Sequence, residues 1–597
     1  MTISDKIGVE INNFENKRVN DLIDKSNNFY SLYKSVKSVT KSQQLLTLID
    51  ENNEKISNSL EIVKKFKNIF ESKVSLNSSS NELDLKFQII NTFKYIEISM
   101  NDILIAIKKF KFNKSEEKTQ IKNIIIKNCL NGISKIFYSL FNRILEFHEI
   151  PEDLKIYIVS TVLKHNKNKN YFHSYRCISV QPNIYRIFET ILLNKLLPFI
   201  EINQIIPNSQ YGYRTGVSIS DIHIDMQKII YNSLNDSKVK SIDIVFLDLS
   251  DAFDSVSHMR LLNKLKSYGI FGQMFDLIAE TFKNRRQIVK FNECFSEEIL
   301  VKSGVLQGGV LSPTLFNIYI SDIVRNIESN IFQFADDLSL IKVIYTESDC
   351  NSLQNDLNIV FNYCEENSLK INPIKCEFLR IGFKNYVNFD YKLNNISINN
   401  VQNHKHIGII YDTKMCFNSQ IDCIIEKSLK KFSLLKVICN RVNGLTFLRL
   451  YKTYILPILE FINLSIVLTQ TQCLRLESIQ RKITKYICYK LSKSHLSYEE
   501  RLKQLEINSL EKRRKIQILI IVFKIRFKLK GYQNKWQNEF EFYETTRNGV
   551  FCKTYLHKTI CDKNIFIYAS NLFNSLPKNI RSDNNYRNFV NNLQSFL

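Results

Sequence analysis

The chain has 597 residues, too many for one ordinary domain, so several subdomains are expected. Apolar residues make up 44% of it, enough for large cores, which excludes a chain disordered by composition. Lys and Arg number 82 against 59 Asp and Glu, and the net charge of +23 predicts attraction to a polyanion such as nucleic acid or an anionic membrane face.

Thirteen scattered cysteines, without a Cys-x-x-Cys pair, argue against a disulfide framework or a zinc knuckle and suit reduced thiols of an intracellular protein. The first twenty residues have no apolar core of a signal peptide. In chain order, "SLEIVKKFKNIFESKV" (59–74) reads as a helix and "SLNSSSNELD" (75–84) as a linker. From about residue 98 the pattern is helical again, through "MNDILIAIKKFK" and "IFYSLFNRILEFHEIPEDLK", until Pro151 breaks it. "IYIVSTVL" (156–163) predicts a strand and "RIFETILLNKLLPFI" (186–200) a helix.

The run "SIDIVFLDLS" (241–250) predicts a strand that ends on acidic residues, followed by a helix over 260–269 that Gly269 stops. "RQIVKF" and "EILVKSG" predict a strand pair, and "LSPTLFNIYISDIVRNI" (311–327) a helix entered through Pro313. "FQFADDLSLI" (332–341) has the length of a hairpin with Asp336 and Asp337 at the bend. A helix over 349–367 and a strand over 377–383 complete an α/β unit; after 420 the chain reads as helical and basic. The run 454–468 is short for a membrane span and contains Pro457 and Glu460, so a buried helix is expected. There is no internal repeat.

If the strand end at Asp248 and the bend at 336–337 are neighbours in one sheet, three carboxylates converge. Hard divalent cations take oxygen ligands, and Mg²⁺ binds through one or two carboxylates plus substrate phosphates. Taken alone, an Asp-Asp turn is more often an ordinary hairpin bend than a metal site, since acidic turns are common. Between the acidic segments lies "SGVLQGGVLSPTLFNIYI" (303–320), where Gly308 and Gly309 permit close backbone approach and Gln307 can hydrogen-bond a nucleotide or template.

The segments "FLDLSDAFDSVSH" (246–258), "GVLQGGVLSPTLFNIYI" (304–320), "FADD" (334–337), "INPIKCEFL" (371–379) and "HKHIGIIYD" (404–412) resemble, in order, the palm motifs of reverse transcriptases of jockey-like non-LTR retrotransposons. "SYRCISVQPNIYRIFE" (174–189) and "SQYGYRTGVS" (209–218) resemble the fingers motifs of that family. "LRLYKTYILPILEF" (448–461), "LESIQRKITKYI" (476–487) and "LEKRR" (510–514) resemble its thumb and C-terminal region.

The resemblance implies an α+β right-hand polymerase of fingers, palm and thumb, with a mostly helical N-terminal extension and a helical, basic C-terminal region. The expected divisions are a helical connector (1–97), a helical lead-in (98–143), the reverse transcriptase domain (144–412), a thumb (413–500) and a basic C-terminal region (501–597). It implies RNA-directed DNA synthesis, with an RNA template, a DNA primer, dNTPs and two Mg²⁺ ions, Mn²⁺ being possible. Asp248, Asp336 and Asp337 match the family's catalytic metal ligands. Phe253 matches the aromatic gate that excludes a 2′-hydroxyl, and Gln307 and Gly308 match the pair lining the nucleotide and template site. Lys164 and Arg176 match residues that meet the triphosphate, and Lys375 a lysine that can protonate pyrophosphate. His404, Lys405 and His406 fall in the segment resembling the primer grip, where phosphate contacts are expected. Asp251 and Asp254 are close enough to the following helix to be read as caps.

The chain departs from the family pattern at Cys177, Leu306, Gly309 and Phe334, and "FNKSEEKTQ" (112–120) lacks a usual glycine. These departures leave every matched carboxylate in place and hint at a divergent or decaying copy. Nothing in residues 1–95 resembles the apurinic-type endonuclease the family often carries, so nicking is expected elsewhere or lost. The alternatives are an RNA-dependent RNA polymerase, against which Ala335 and Phe253 argue, and a non-catalytic nucleic-acid-binding remnant. No membrane partner is expected; nuclear location is implied by the family's life cycle, with no clear basic signal.

Overall fold

The structure is a computed structural model that describes residues 13–14, 16–21, 23, 47–75, 92–109, 123–164, 167–382, 386–493, 495–532, 535–545, 549–554 and 563–597. The expected linker over 76–84 and the segment 112–120 lie outside the described residues.

Two sheets organise the mixed α+β chain. The larger is built on the strand Ser241–Ser250, which pairs antiparallel with Asp337–Ile344 on one side and Glu377–Gly382 on the other. Asn330–Phe334 closes the hairpin to Asp337–Ile344, and the short strand Lys370–Ile371 pairs with Ser250 and Leu249. The pleat divides the central strand between two cores, because successive side chains point to opposite faces. Val245, Leu247 and Leu249 pack with Phe188, Leu261, Phe316 and Leu340. Ile242, Ile244 and Phe246 pack on the other side with Ile341, Leu379, Tyr411 and Tyr451.

The smaller sheet has the order Tyr175–Val180, Ile156–Leu163, Arg286–Phe291, Cys294–Leu300. Its outer face is covered by the helix Ser59–Val74, capped by the Asn58 side chain, which accepts from Leu60 N. Ile62, Val63, Phe66, Phe70 and Val74 recur at helical spacing and are buried against Val289, Phe291 and Ile299 of that sheet. The N-terminal part is not wholly helical, since Leu48–Ile49 pairs with Lys55–Ile56.

Several expected elements change length. The helix expected over 311–327 ends at Tyr319, whose carbonyl is taken by the buried Lys264 ammonium at 2.6 Å; a 3₁₀ turn over Ser321–Val324 follows. The expected helix over 186–200 extends to Asn183–Ile202. The strand expected at 298–304 is Cys294–Leu300, because a tight hairpin pulls it forward.

Beyond residue 418 the chain is mostly helical, with long helices at Asn418–Ile438, Gln470–Lys490 and Leu510–Arg526. The C-terminal region, expected to be mostly helical, also contains a hairpin, Phe540–Thr545 with Gly549–Thr554, whose Phe540, Val550 and Cys552 complete a core with Phe523, Phe573 and Phe589. The run at 454–468 is a short helix, Leu456–Leu459, that starts from a π-turn over Tyr451–Ile455. Among the described residues no helix is long and apolar enough to cross a membrane. No disulfide joins any two of the twelve described cysteines.

Candidate active site

Antiparallel pairing sets Asp248 directly opposite Asp337, and Asp336 is the last residue of the turn before it. Both cross-strand carboxylates leave the sheet on the face of Phe246, beyond the end of the second core. Like charges directly opposite on a sheet are destabilising, so this pairing works against folding unless a cation is supplied. Burial of its carboxyl group, followed by the charges of Asp336 and Asp248, pushes Asp337 up to about 6, although the residue keeps solvent-exposed surface. Burial also raises Asp336, against the opposing pull of its own backbone N–H and of Arg176.

The other aspartate of that strand, Asp243, has a different task. It is fully buried and receives Arg380 Nη2 at 2.9 Å and the Tyr391 hydroxyl at 2.8 Å. Its partners are complete, so it belongs to the framework.

The turn carrying Asp336 is held from outside the hairpin. Ala335 takes the left-handed conformation, φ +58°, and its N–H donates to Gln210 Oε1 at 3.0 Å. Tyr211 N donates to Gln333 O and Gln333 N to Ser209 O, both at 2.8 Å, so residues 209–211 extend the sheet edge beside the turn. Gly212 is required there, because a Cβ would lie 2.4 Å from Ala335 N.

The loop "GVLQGGV" backs onto both the central strand's exit and the smaller sheet. Val305 N donates to Phe253 O at 2.8 Å and Gly304 N to Val256 O at 2.7 Å. Ser179 N donates to Gln307 O at 2.9 Å, and Gly308, at φ +115°, brings its α-carbon so close that a Cβ would meet Ser179 O at 2.6 Å. Buried Glu189 accepts from Val310 N at 2.9 Å, at the entrance to the helix Ser312–Tyr319.

Phe253 is half-buried, stacked on Phe316 at 4.6 Å with Tyr213 edge-on at 6.2 Å. Gln307 donates to Asp254 Oδ2 at 3.3 Å. Asp254 does not cap the next helix; Ser257 does, accepting from Arg260 N. Burial, with the nearby Asp251 charge, pushes Asp254 up to about 7. Lys375 Nζ lies 3.1 Å from Asp248 Oδ2. Lys164 donates to His173 O at 3.0 Å and is lowered by burial and by the neighbouring charges of Lys73 and Arg176. Arg176 is exposed on the strand Tyr175–Val180, close enough to act on Asp336.

The expected primer-grip histidines are corrected. His404 binds Glu377 at 2.6 Å and stacks on Phe246 at 3.7 Å, while His406 is buried. Both rings pack inward, which leaves Lys405 the exposed one of the three.

Carboxylate oxygens, with no thiolate or imidazole among them, suit a hard divalent cation, and the raised Asp337 shows the negative charge such a cation would relieve. As the side chains stand, no three acidic, His or Cys groups among the described residues are gathered to hold an ion, and Asp248 is turned to Lys375.

Roles for Lys73, Glu189, Gln210 and Tyr213 were not assigned from sequence. Gln210 and Glu189 lie inside recognised motifs, whereas Lys73 is 178 positions from its partner Asp251 and carries no local signal.

Residues 163–419 match the family described as reverse transcriptase (RNA-dependent DNA polymerase), and the paired strands carrying Asp248 and Asp337 fall within that stretch. The chain is similar to the polymerases of several mobile elements. It is 24% identical over 367 residues to a probable RNA-directed DNA polymerase from transposon BS of Drosophila melanogaster, covering 58% of this chain and 39% of that protein. It is 24% identical over 379 residues to the RNA-directed DNA polymerase from mobile element jockey of Drosophila funebris, covering 60% and 40%. Over 159 residues it is 30% identical to the Pol polyprotein of the type-1 retrotransposable element R2 of Popillia japonica, covering 24% and 25%. The chain thus spans about two-fifths of the length of the first two relatives.

Proposed function

We propose that this chain is an RNA-directed DNA polymerase that extends a primer 3′-hydroxyl with dNTPs on an RNA template. The observation that carries the reading is the cross-strand pair Asp248–Asp337 with Asp336 in the adjoining turn. In this reading the larger sheet is the palm, the smaller sheet belongs to the fingers, and the helices from residue 418 to 490 form the thumb.

Asp248, Asp336 and Asp337 would hold divalent cations, Mg²⁺ or Mn²⁺, which when bound activate the attacking hydroxyl and neutralise the leaving phosphates. The chain's own groups do the positioning. Arg176 and Lys164 take the triphosphate, Arg176 through its forked guanidinium. Lys375, which lies on the proposed metal ligand Asp248, would give a proton from Nζ to departing pyrophosphate. The stacked Phe253 ring closes the space under the sugar, against a 2′-hydroxyl. Gln307 and Gly308 line the nucleotide and template, with Gly308 held against the backbone of Ser179.

The test is substrate choice on poly(rA)/oligo(dT). The wild type is expected to incorporate dTTP and reject UTP, and Phe253→Val to admit UTP. Preference of the wild type for UTP would overturn the assignment.

A further inference from the structure

Lys73 is the last lysine of the helix Ser59–Val74, on the N-terminal side of the stretch that matches the family. Its ammonium lies 2.6 Å from Asp251 Oδ1. Asp251 follows Asp248 by three residues and is held in the left-handed conformation, φ +48°, so it points away from the strand's run. The helix end is fixed at this place. Val74 O accepts from both Lys302 N and Ser303 N at 3.0 Å, and the Ser303 hydroxyl donates to Asp254 O at 3.1 Å. The apolar face of the helix, buried on the smaller sheet, makes the placement rigid.

Lys73 is therefore one of a group of cations. Burial lowers Lys164, and the next largest contribution is the charge of Lys73, with Arg176 and Lys375 adding to it. Cys177, on the same strand as Arg176, feels Lys73, Lys164, Asp251 and Asp254 together. Lys73 pairs with Asp251 and Lys375 with Asp248, the charges of Lys73, Arg176, Lys375 and Asp251 all reach Lys164, and about a third of the Lys73 side chain is open to solvent. A solvent-facing ion pair contributes little to stability, because water screens both charges. Such a pair stores little stability and is easily exchanged for a stronger anion.

We propose that Lys73 is a substrate-binding residue that takes the triphosphate of the incoming dNTP beside Lys164 and Arg176, and that Asp251 holds its ammonium in place until the nucleotide arrives. This rests on the polymerase reading above. It makes the N-terminal helix part of the active site rather than a connector.

The test measures the KM for dTTP on poly(rA)/oligo(dT) and equilibrium binding of dTTP to the enzyme on a chain-terminated primer. Lys73→Ala should raise KM and weaken dTTP binding about tenfold, the scale of one charge-assisted hydrogen bond. Its affinity for poly(rA)/oligo(dT) should not change, and Lys73→Arg should restore most of the loss. Asp251→Ala separates the two meanings of the ion pair. If Lys73 serves the nucleotide, this variant binds dTTP as well as or better than the wild type. If the pair only fastens the helix, Lys73→Ala and Asp251→Ala lose the same thermal stability and the same activity, and the proposal falls. Wild-type binding of dTTP with equal binding by Lys73→Ala would refute the Lys73 assignment alone. A wild type that neither binds dTTP nor extends the primer would overturn the polymerase reading and this proposal together.

Discussion

Asp254 keeps its proton to about pH 7 because its carboxyl is buried next to Asp251. The sign of the consequence is definite. Between roughly pH 4 and 7 the folded chain binds a proton that the unfolded chain has released, so stability falls as pH rises through that window and levels off above it. Asp254→Asn, which can still accept from Gln307, should therefore gain in melting temperature over the wild type as pH rises from 4 to 7. A constant difference across that range would contradict the buried, protonated state. Gly308 makes an opposite kind of demand. Its φ of +115° and the Ser179 carbonyl leave no room for a methyl group, so Gly308→Ala should cost ~1–3 kcal/mol by denaturant unfolding and disorder the Gln307 loop. Asp248 lies opposite Asp337 as supposed from a strand and a hairpin that both meet acidic residues, but it was the resemblance to a motif series that singled out Asp248, Asp336 and Asp337. Asp254 was misread as a cap, because proximity to a helix in sequence says nothing of which side chain reaches the free N–H groups. Asp243 is marked as framework by Arg380 and Tyr391, which lie 137 and 148 positions away.

At the scale of elements, the hairpin carrying Asp336 and Asp337 depends on a segment that does not belong to it. Gln210 accepts from Ala335 N and from Gly212 N, at 3.0 and 2.8 Å, and so ties the Asp336 turn to residues 209–212. Gln210→Ala should leave poly(rA) binding intact and lower kcat at least ~10-fold, on the scale by which misplaced reacting groups cost rate. Unchanged kcat would show that the hairpin holds the turn alone. Gln210→Glu should not rescue, because its carboxylate loses the donor side and adds charge beside Asp336. The strands were the most legible elements, since alternating apolar residues of "SIDIVFLDLS" name both faces of the sheet. Helix ends were less so. The stop at Tyr319 depends on Lys264, whose buried ammonium also reaches Asp322 at 2.7 Å, and such tertiary capture of a carbonyl has no local pattern. The C-terminal hairpin was hidden in the same way, because its apolar residues find their core only against the helices around Phe523 and Phe573.

Across the whole molecule, distant parts of the chain meet at the helix Ile219–Ser233. Asp225 accepts from Trp536 Nε1 and from the Tyr211 hydroxyl, both at 2.7 Å, while Lys535 pairs with Asp221 and Lys228 with Glu539. At the other end, Asn443 N donates to Asn16 Oδ1 at 2.7 Å, which brings the N-terminal residues onto the helical region after residue 418. The C-terminal region is thus fastened to the segment that holds the Asp336 turn. The net charge of +23 belongs to this scale as well. Binding of poly(rA)/oligo(dT) should weaken steeply with salt, by ~10³-fold or more between 50 and 200 mM if six or more phosphates are contacted. A shallow dependence would mean that the positive surface does not face the nucleic acid. The overall α+β class was legible from the alternation of patterns, but the meeting of residues 221–228 with 535–539 was not, because nothing local joins them.

The most direct test of the account is primer extension on poly(rA)/oligo(dT) with dTTP and Mg²⁺, comparing the wild type with Asp336→Asn. Both proteins should melt cooperatively and bind the template–primer equally. The wild type should extend the primer, and Asp336→Asn should lose at least ~10²-fold in rate, the order lost when one preorganised charge-stabilising group is removed. Equal extension by the two proteins would contradict the site, and no extension by a folded, template-bound wild type would contradict the polymerase assignment itself.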